Sequence, residues 1–143
     1  MYIAVNDNTG QVTAMITGLY AGLCGLLFIW LSWKVIVERQ RSKVGLGDGG
    51  DPDLQRAIRV HANFIEYTPL ALVLLALAEM SGVADAVVHG FGIALVIVRV
   101  LHAQGLGATA GYSRGRYFGT LGTWLIIIGL SLLLVVTTLR SFG

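Results

Sequence analysis

Charge is scarce in this sequence. Asp, Glu, Lys and Arg supply 13% of the 143 residues, about half the share in a soluble domain, while 55% are hydrophobic. The mean hydropathy of +0.74 agrees. These numbers exclude an ordinary soluble fold and point to an integral membrane protein. Cysteine occurs once, as Cys24, so no internal disulfide forms and nothing argues for an oxidising compartment. A net charge of +2, with no basic tail or nucleic-acid motif, excludes a nucleic-acid partner. No Lys or Arg precedes the first apolar run. The basic n-region of a secretory signal is therefore missing, and the N-terminus is expected to stay in the mature protein. His61, His89 and His102 lie on three separate segments without Cys or carboxylate at ligand spacing, so no metal is expected.

What is present is four long apolar runs, at roughly 12–36, 64–81, 83–103 and 117–139. Each is near the roughly 20 residues that a span requires. The second helix is expected to begin earlier, near Asp53 or Leu54. No room remains for a soluble domain. The expected fold is all-α: residues 1–143 as one up-down bundle of four transmembrane helices. Lys34, Arg39, Arg41, Lys43, Arg56 and Arg59 cluster around the loop between spans one and two. Arg99, Arg114 and Arg116 flank or occupy the loop between spans three and four. The turn between spans two and three has Glu79 and Asp85 and no cation. By the positive-inside rule both basic loops face the cytoplasm and both termini lie outside. Trp30 and Trp33 beside Lys34 suit the inner interface.

The first loop is rich in Gly45, Gly47, Gly49 and Gly50 and ends in Asp51-Pro52-Asp53. Asp51 reads as an N-cap and Pro52 as the first helical residue. The glycines fit either a flexible turn or a cover over a site at the cytoplasmic face. Beyond them lies "RAIRVHANFIEY", residues 56–67, which carries strong polar groups into the edge of the bilayer. At about 100° per residue, Arg56, Arg59, Asn63, Glu66 and Tyr67 share an arc of about 100°, with His61 well off it. A carboxylate such as Glu66 costs about 2.5–3.5 kcal/mol at a helix centre, so lipid does not face this stripe. Pro69 frees the carbonyl of Ile65 beside it.

Arg99 and His102 share a face of the third span, with Gln104 following. Arg99 is placed to answer Glu66 across a helix interface. The bland account is a polar network that sets helix register. Such contacts average only about 0.6 kcal/mol, and the stripe has more members than register needs. Arginines call for carboxylates, Glu66 for an amine and Asn63 for amide groups. A small zwitterionic peptide satisfies all three. Cys24 lies mid-span, where a thiol stays neutral and inert. Gly18–Gly22 and Gly115–Gly119 are small-xxx-small pairs that fit close helix packing.

The spacing of Arg56, Arg59, Asn63, Glu66 and Pro69 resembles the second-helix motif of the membrane-associated proteins in eicosanoid and glutathione metabolism, the MAPEG family. "LGDGGDPDLQRAIRVHANFIEY" and "RVLHAQGLG" are similar to its bacterial branch, and the likeness extends over nearly the whole chain. The resemblance implies a homotrimer of four-helix subunits in a bacterial inner membrane. It also implies glutathione held between neighbouring subunits near the cytoplasmic face, as in microsomal glutathione transferases. Residues matching Arg59, Asn63, Glu66 and Tyr67 hold glutathione in the enzymes; Arg56, Arg99 and His102 join them here as candidates. A further arginine near the start of the fourth helix keeps the thiol ionised. Arg116 is the first candidate for that catalytic part and Arg114 the second.

One departure is Leu106, where many eukaryotic members carry Tyr one turn after the position of His102. Tyr112 and Tyr117 are near but at other spacings. Three readings follow. The first is a transferase, with peroxidase activity a further possibility, that joins glutathione to lipophilic electrophiles entering from the lipid. The second is a non-catalytic lipid- or glutathione-binding protein of the same fold, favoured by Leu106. The third is a small transporter using Glu66 as a proton-coupled site. The two loop arginines favour the first.

Overall fold

The computed structural model describes residues 5–6, 12–13, 15–108 and 113–142. Two short strands, β1 (Val5–Asn6) and β2 (Val12–Thr13), pair antiparallel. Four helices follow: α1 (Ile16–Ser42), α2 (Pro52–Met80), α3 (Asp85–Ala108) and α4 (Arg114–Ser141). All four are long and apolar enough to cross a membrane. Up-down order gathers the ends that carry the basic residues at one end of the bundle. Tyr20, Cys24, Phe64, Leu75, Leu95 and Leu130 are among the side chains packed at its core.

The limits differ from the hydropathy reading, each for a local reason. Helix α1 starts at Ile16 rather than near residue 12, because Val12 and Thr13 are paired in β2. Its first N–H groups, of Ile16 and Thr17, donate to the Glu79 carboxylate at 2.5 and 2.8 Å. Glu79 thus closes α1 from the end of α2, as anions do at helix N-termini. At the other end α1 runs on to Ser42, past the apolar stretch, and stops where Lys43 turns left-handed (φ 56°). Helix α4 begins at Arg114, three residues before its expected start, so Arg114 and Arg116 are helical rather than in the loop. Ser113 caps it: its hydroxyl accepts from the Arg116 N–H and donates to the Gly105 carbonyl, which ties α4 to α3.

The first loop is held by specific bonds rather than loose. Arg39 donates to the Gly47 carbonyl at 2.9 Å, and Arg41 spans to Asp51 at 2.8 Å. Gly49, at φ +58°, has Val44 where a Cβ would stand, at 2.6 Å. Asp51 is the N-cap of α2, accepting from the N–H groups of Asp53 and Leu54. Those bonds, Leu54 first, and the guanidinium of Arg41 hold its carboxyl below the usual carboxylate range.

Helices α3 and α4 approach through glycine. A Cβ on Gly119 would lie 2.6–2.7 Å from the Cβ, Cα and N of His102, and one on Gly115 would lie 2.8 Å from the Leu101 carbonyl oxygen. Of the two glycine pairs seen in the sequence, 115–119 makes this contact. A Cβ added at Gly18 or Gly22 would meet no neighbouring side chain or helix within 4 Å among the described residues. His61, off the polar stripe, faces α1 instead: its Nε2 meets the Ser32 hydroxyl at 2.8 Å and its ring lies over Phe28.

Candidate functional site

At the basic end, α2, α3 and α4 enclose a cavity of about 350 Å³. Arg56, Arg59 and Asn63 line it from α2, His102 and Leu106 from α3, and Arg116 and Thr120 from α4; Pro52 and Gln55 complete the rim. The stripe on α2 supplies one wall because its members share a helix face. The glycine contacts set the depth, since Gly119 lets α4 sit directly against His102. Three arginines and no carboxylate form the wall. Such a surface attracts anions and pairs bidentately with carboxylates.

The wall residues are held differently. Arg56 is braced by Asp53 one turn earlier. Arg59, with 61% of its side chain exposed, reaches along the helix to Glu66, 49% exposed, at 3.9 Å. These two are seven residues apart, beyond i,i+4 range, and meet because both side chains lie along the stripe. His102 is buried, and its Nδ1 has no partner among the described residues.

Other candidates stand elsewhere. Arg99 lies behind the wall: its Nη2 donates to Asn63 Oδ1 at 2.7 Å and its Nη1 to Thr123 Oγ1 at 3.3 Å. The expected pairing of Arg99 with Glu66 is not formed: Arg99 turns to Asn63 and Glu66 to Arg59. Glu66 and half-buried Tyr67 lie farther along α2, off the cavity wall, and Arg114 is exposed on the first turn of α4. Tyr112 falls outside the described residues. Sequence reasoning missed Thr120, Thr123 and Gln55. The threonines sit inside an apolar run, where a hydroxyl gives no signal of what it faces.

Two neighbouring hollows share residues with this cavity. One, of about 420 Å³, runs along α4 and is lined by Arg116, Thr120, Tyr117, Leu121 and Trp124. Arg116 and Thr120 therefore separate an anion-attracting cavity from a hollow with an apolar wall. The other, of about 390 Å³, lies between α1 and α2; there Lys34 and Arg56 face Glu38 and Asp53 beside Trp30 and Trp33. Its cations are matched by carboxylates, so it lacks the excess positive charge of the first.

The MAPEG family model matches residues 17–136 of this chain. Two curated relatives are similar to it: the inner membrane proteins YecN of Escherichia coli K12 and of E. coli strain CFT073. Each is 39% identical over 114 residues, which cover 80% of this chain and 86% of the relative.

Proposed function

The chain belongs to the MAPEG family, and from that premise we propose that it is a membrane-bound glutathione transferase acting on lipophilic electrophiles. The observation that carries the reading is the position of Arg116, shared by the arginine-lined cavity and the apolar hollow. Glutathione brings two carboxylates to Arg56 and Arg59, and its peptide groups to Asn63. Its sulfur reaches Arg116, where the cation favours the thiolate, which is the nucleophile. A lipophilic substrate enters the hollow from the lipid, and the thiolate attacks its electrophilic carbon across the Arg116 boundary, forming the C–S bond as the leaving group departs with its electron pair. Peroxidase activity would use the same thiolate: it attacks a hydroperoxide oxygen and releases the alcohol, and a second glutathione reduces the sulfenic acid to the disulfide and water. Adding glutathione to the purified protein should produce the ultraviolet absorbance of a bound thiolate. Its absence with glutathione bound would leave the non-catalytic binding protein, the reading favoured by Leu106 on the cavity wall.

Glu66 lies off the wall of its own chain and is half exposed together with Arg59. In our reading a neighbouring copy in a homotrimer closes that side, and Glu66 meets the amine of glutathione there. Glu66→Gln should then weaken glutathione binding about tenfold by titration calorimetry, the low end for a hydrogen bond to a charged group because solvent screens a half-exposed carboxylate. Unchanged affinity would reduce Glu66 to a partner of Arg59.

We also place the chain in a bacterial inner membrane, as the name of YecN does for that protein, with the basic end in the cytoplasm. In a variant with Cys24 replaced by Ala, Asp48→Cys should be protected from an impermeant thiol reagent in intact cells and Asp85→Cys labelled. The reverse pattern would overturn the orientation and move the site to the other side.

A further inference from the structure

Arg99 is 1% exposed, and no carboxylate lies within ion-pair distance of it among the described residues. Its partners are neutral. One is Asn63; another is Thr123, whose hydroxyl donates in turn to the Gly119 carbonyl at 2.7 Å. Its guanidinium lies 5.6 Å from the centre of the Phe64 ring, and its Nε has no partner among the described residues. Burying a cation without a contacting carboxylate is costly, and setting helix register does not require a cation.

A guanidinium has five N–H donors and no acceptor. The Asn63 atom that faces it is therefore the oxygen, and the amide is not free to flip. Asn63 lines the cavity, and its side chain has no second partner among the described residues. With Oδ1 committed to Arg99, the Nδ2 hydrogens are what the amide offers to a ligand, polarised by the cation behind it. We infer that Arg99 is a positioning residue: it fixes Asn63 as an obligate donor and selects ligands that place a carboxylate or peptide carbonyl, not an ammonium, against it. Thr123 holds the guanidinium from α4, so three helices set the polarity of one amide. The inference takes from the reading above only the choice of glutathione as first probe.

The test uses the full chain in detergent micelles. Asn63→Asp keeps an oxygen for Arg99 but presents a second oxygen to the ligand. Glutathione affinity should fall about tenfold or more, since a lost hydrogen bond is joined by like-charge repulsion. The melting temperature of the ligand-free protein should hold or rise, because the buried guanidinium gains a carboxylate. Arg99→Met should also lose affinity, and Arg99→Lys should recover part of it. Asn63→Ala combined with Arg99→Met should bind no more weakly than Asn63→Ala alone, because Arg99 acts through Asn63. Additive losses, or full affinity in Asn63→Asp, would overturn the inference. If Arg99→Met does not fold, Asn63→Asp decides by itself. If the wild type fails to bind glutathione, the transferase reading falls, and the same titrations use succinate, which carries acceptors only. No succinate binding, or equal binding to wild type and Asn63→Asp, would then overturn the inference.

Discussion

Arg116→Ala is expected to abolish the thiolate absorbance and the conjugation rate together while leaving glutathione bound. Arg56 and Arg59 remain on the cavity wall to hold the carboxylates, so binding has other support. Arg116 borders both the cavity and the apolar hollow, the place where sulfur and electrophile would meet. A cation beside the sulfur stabilises the ionised form more than the bound thiol, so it acts on the chemical step. Removing it should raise the pKa of the bound thiol by about one or two, at about 1.4 kcal/mol each, and cut the reactive fraction at neutral pH about tenfold or more. Arg116→Lys should restore part of the rate, since charge survives and the planar fork does not. If Arg116 serves only as a topology signal, rate and absorbance will both stay at the wild-type level, and Arg114→Ala is measured next. Indifference at both arginines, with glutathione still bound, would replace the enzyme by the binding protein.

The second large effect is on stability and on the shape of the site. Gly119→Ala places a Cβ 2.6–2.7 Å from the Cβ, Cα and N of His102, and two of those atoms are backbone that no rotamer change moves away. Replacing a helical glycine by alanine gains at most about 1 kcal/mol. Overpacking costs about 1–3 kcal/mol even where side chains yield. The clash wins, so α4 must move off α3. The melting temperature in detergent should fall, and glutathione affinity should fall with it, because His102 and Arg116 stand on the two separated helices. Gly22→Ala is the comparison: the added Cβ would meet no neighbouring side chain or helix within 4 Å among the described residues, so within one chain the propensity gain stands alone. A Gly119→Ala protein that melts and binds like wild type would show that the α3–α4 contact does not shape the cavity.

Much of the architecture was legible because it is local. Hydropathy over a window located four spans, and the 3.6-residue period placed Arg56, Arg59 and Asn63 on one face. Asp51 and Pro52 announced the start of α2, and the structure has Asp51 accepting two N–H groups there. Helix ends were less legible where capping came from afar. Glu79 looked like an acid in a turn, yet it closes α1 from 62 and 63 residues away.

The sequence by itself determined that this is a membrane bundle, which helix face is polar, and that carboxylates would suit its arginines. Those properties follow from hydrophobicity and backbone period, which act within a few turns of one helix. Only the tertiary structure decided the neighbours: Arg99 with Asn63 and Thr123 instead of Glu66, His61 with Ser32, and Arg116 at the boundary of two hollows. In lipid there is no hydrophobic drive to choose partners between apolar helices. The choice falls to where glycine allows backbones to touch and to which buried donors find acceptors, and both depend on residues far apart in the chain.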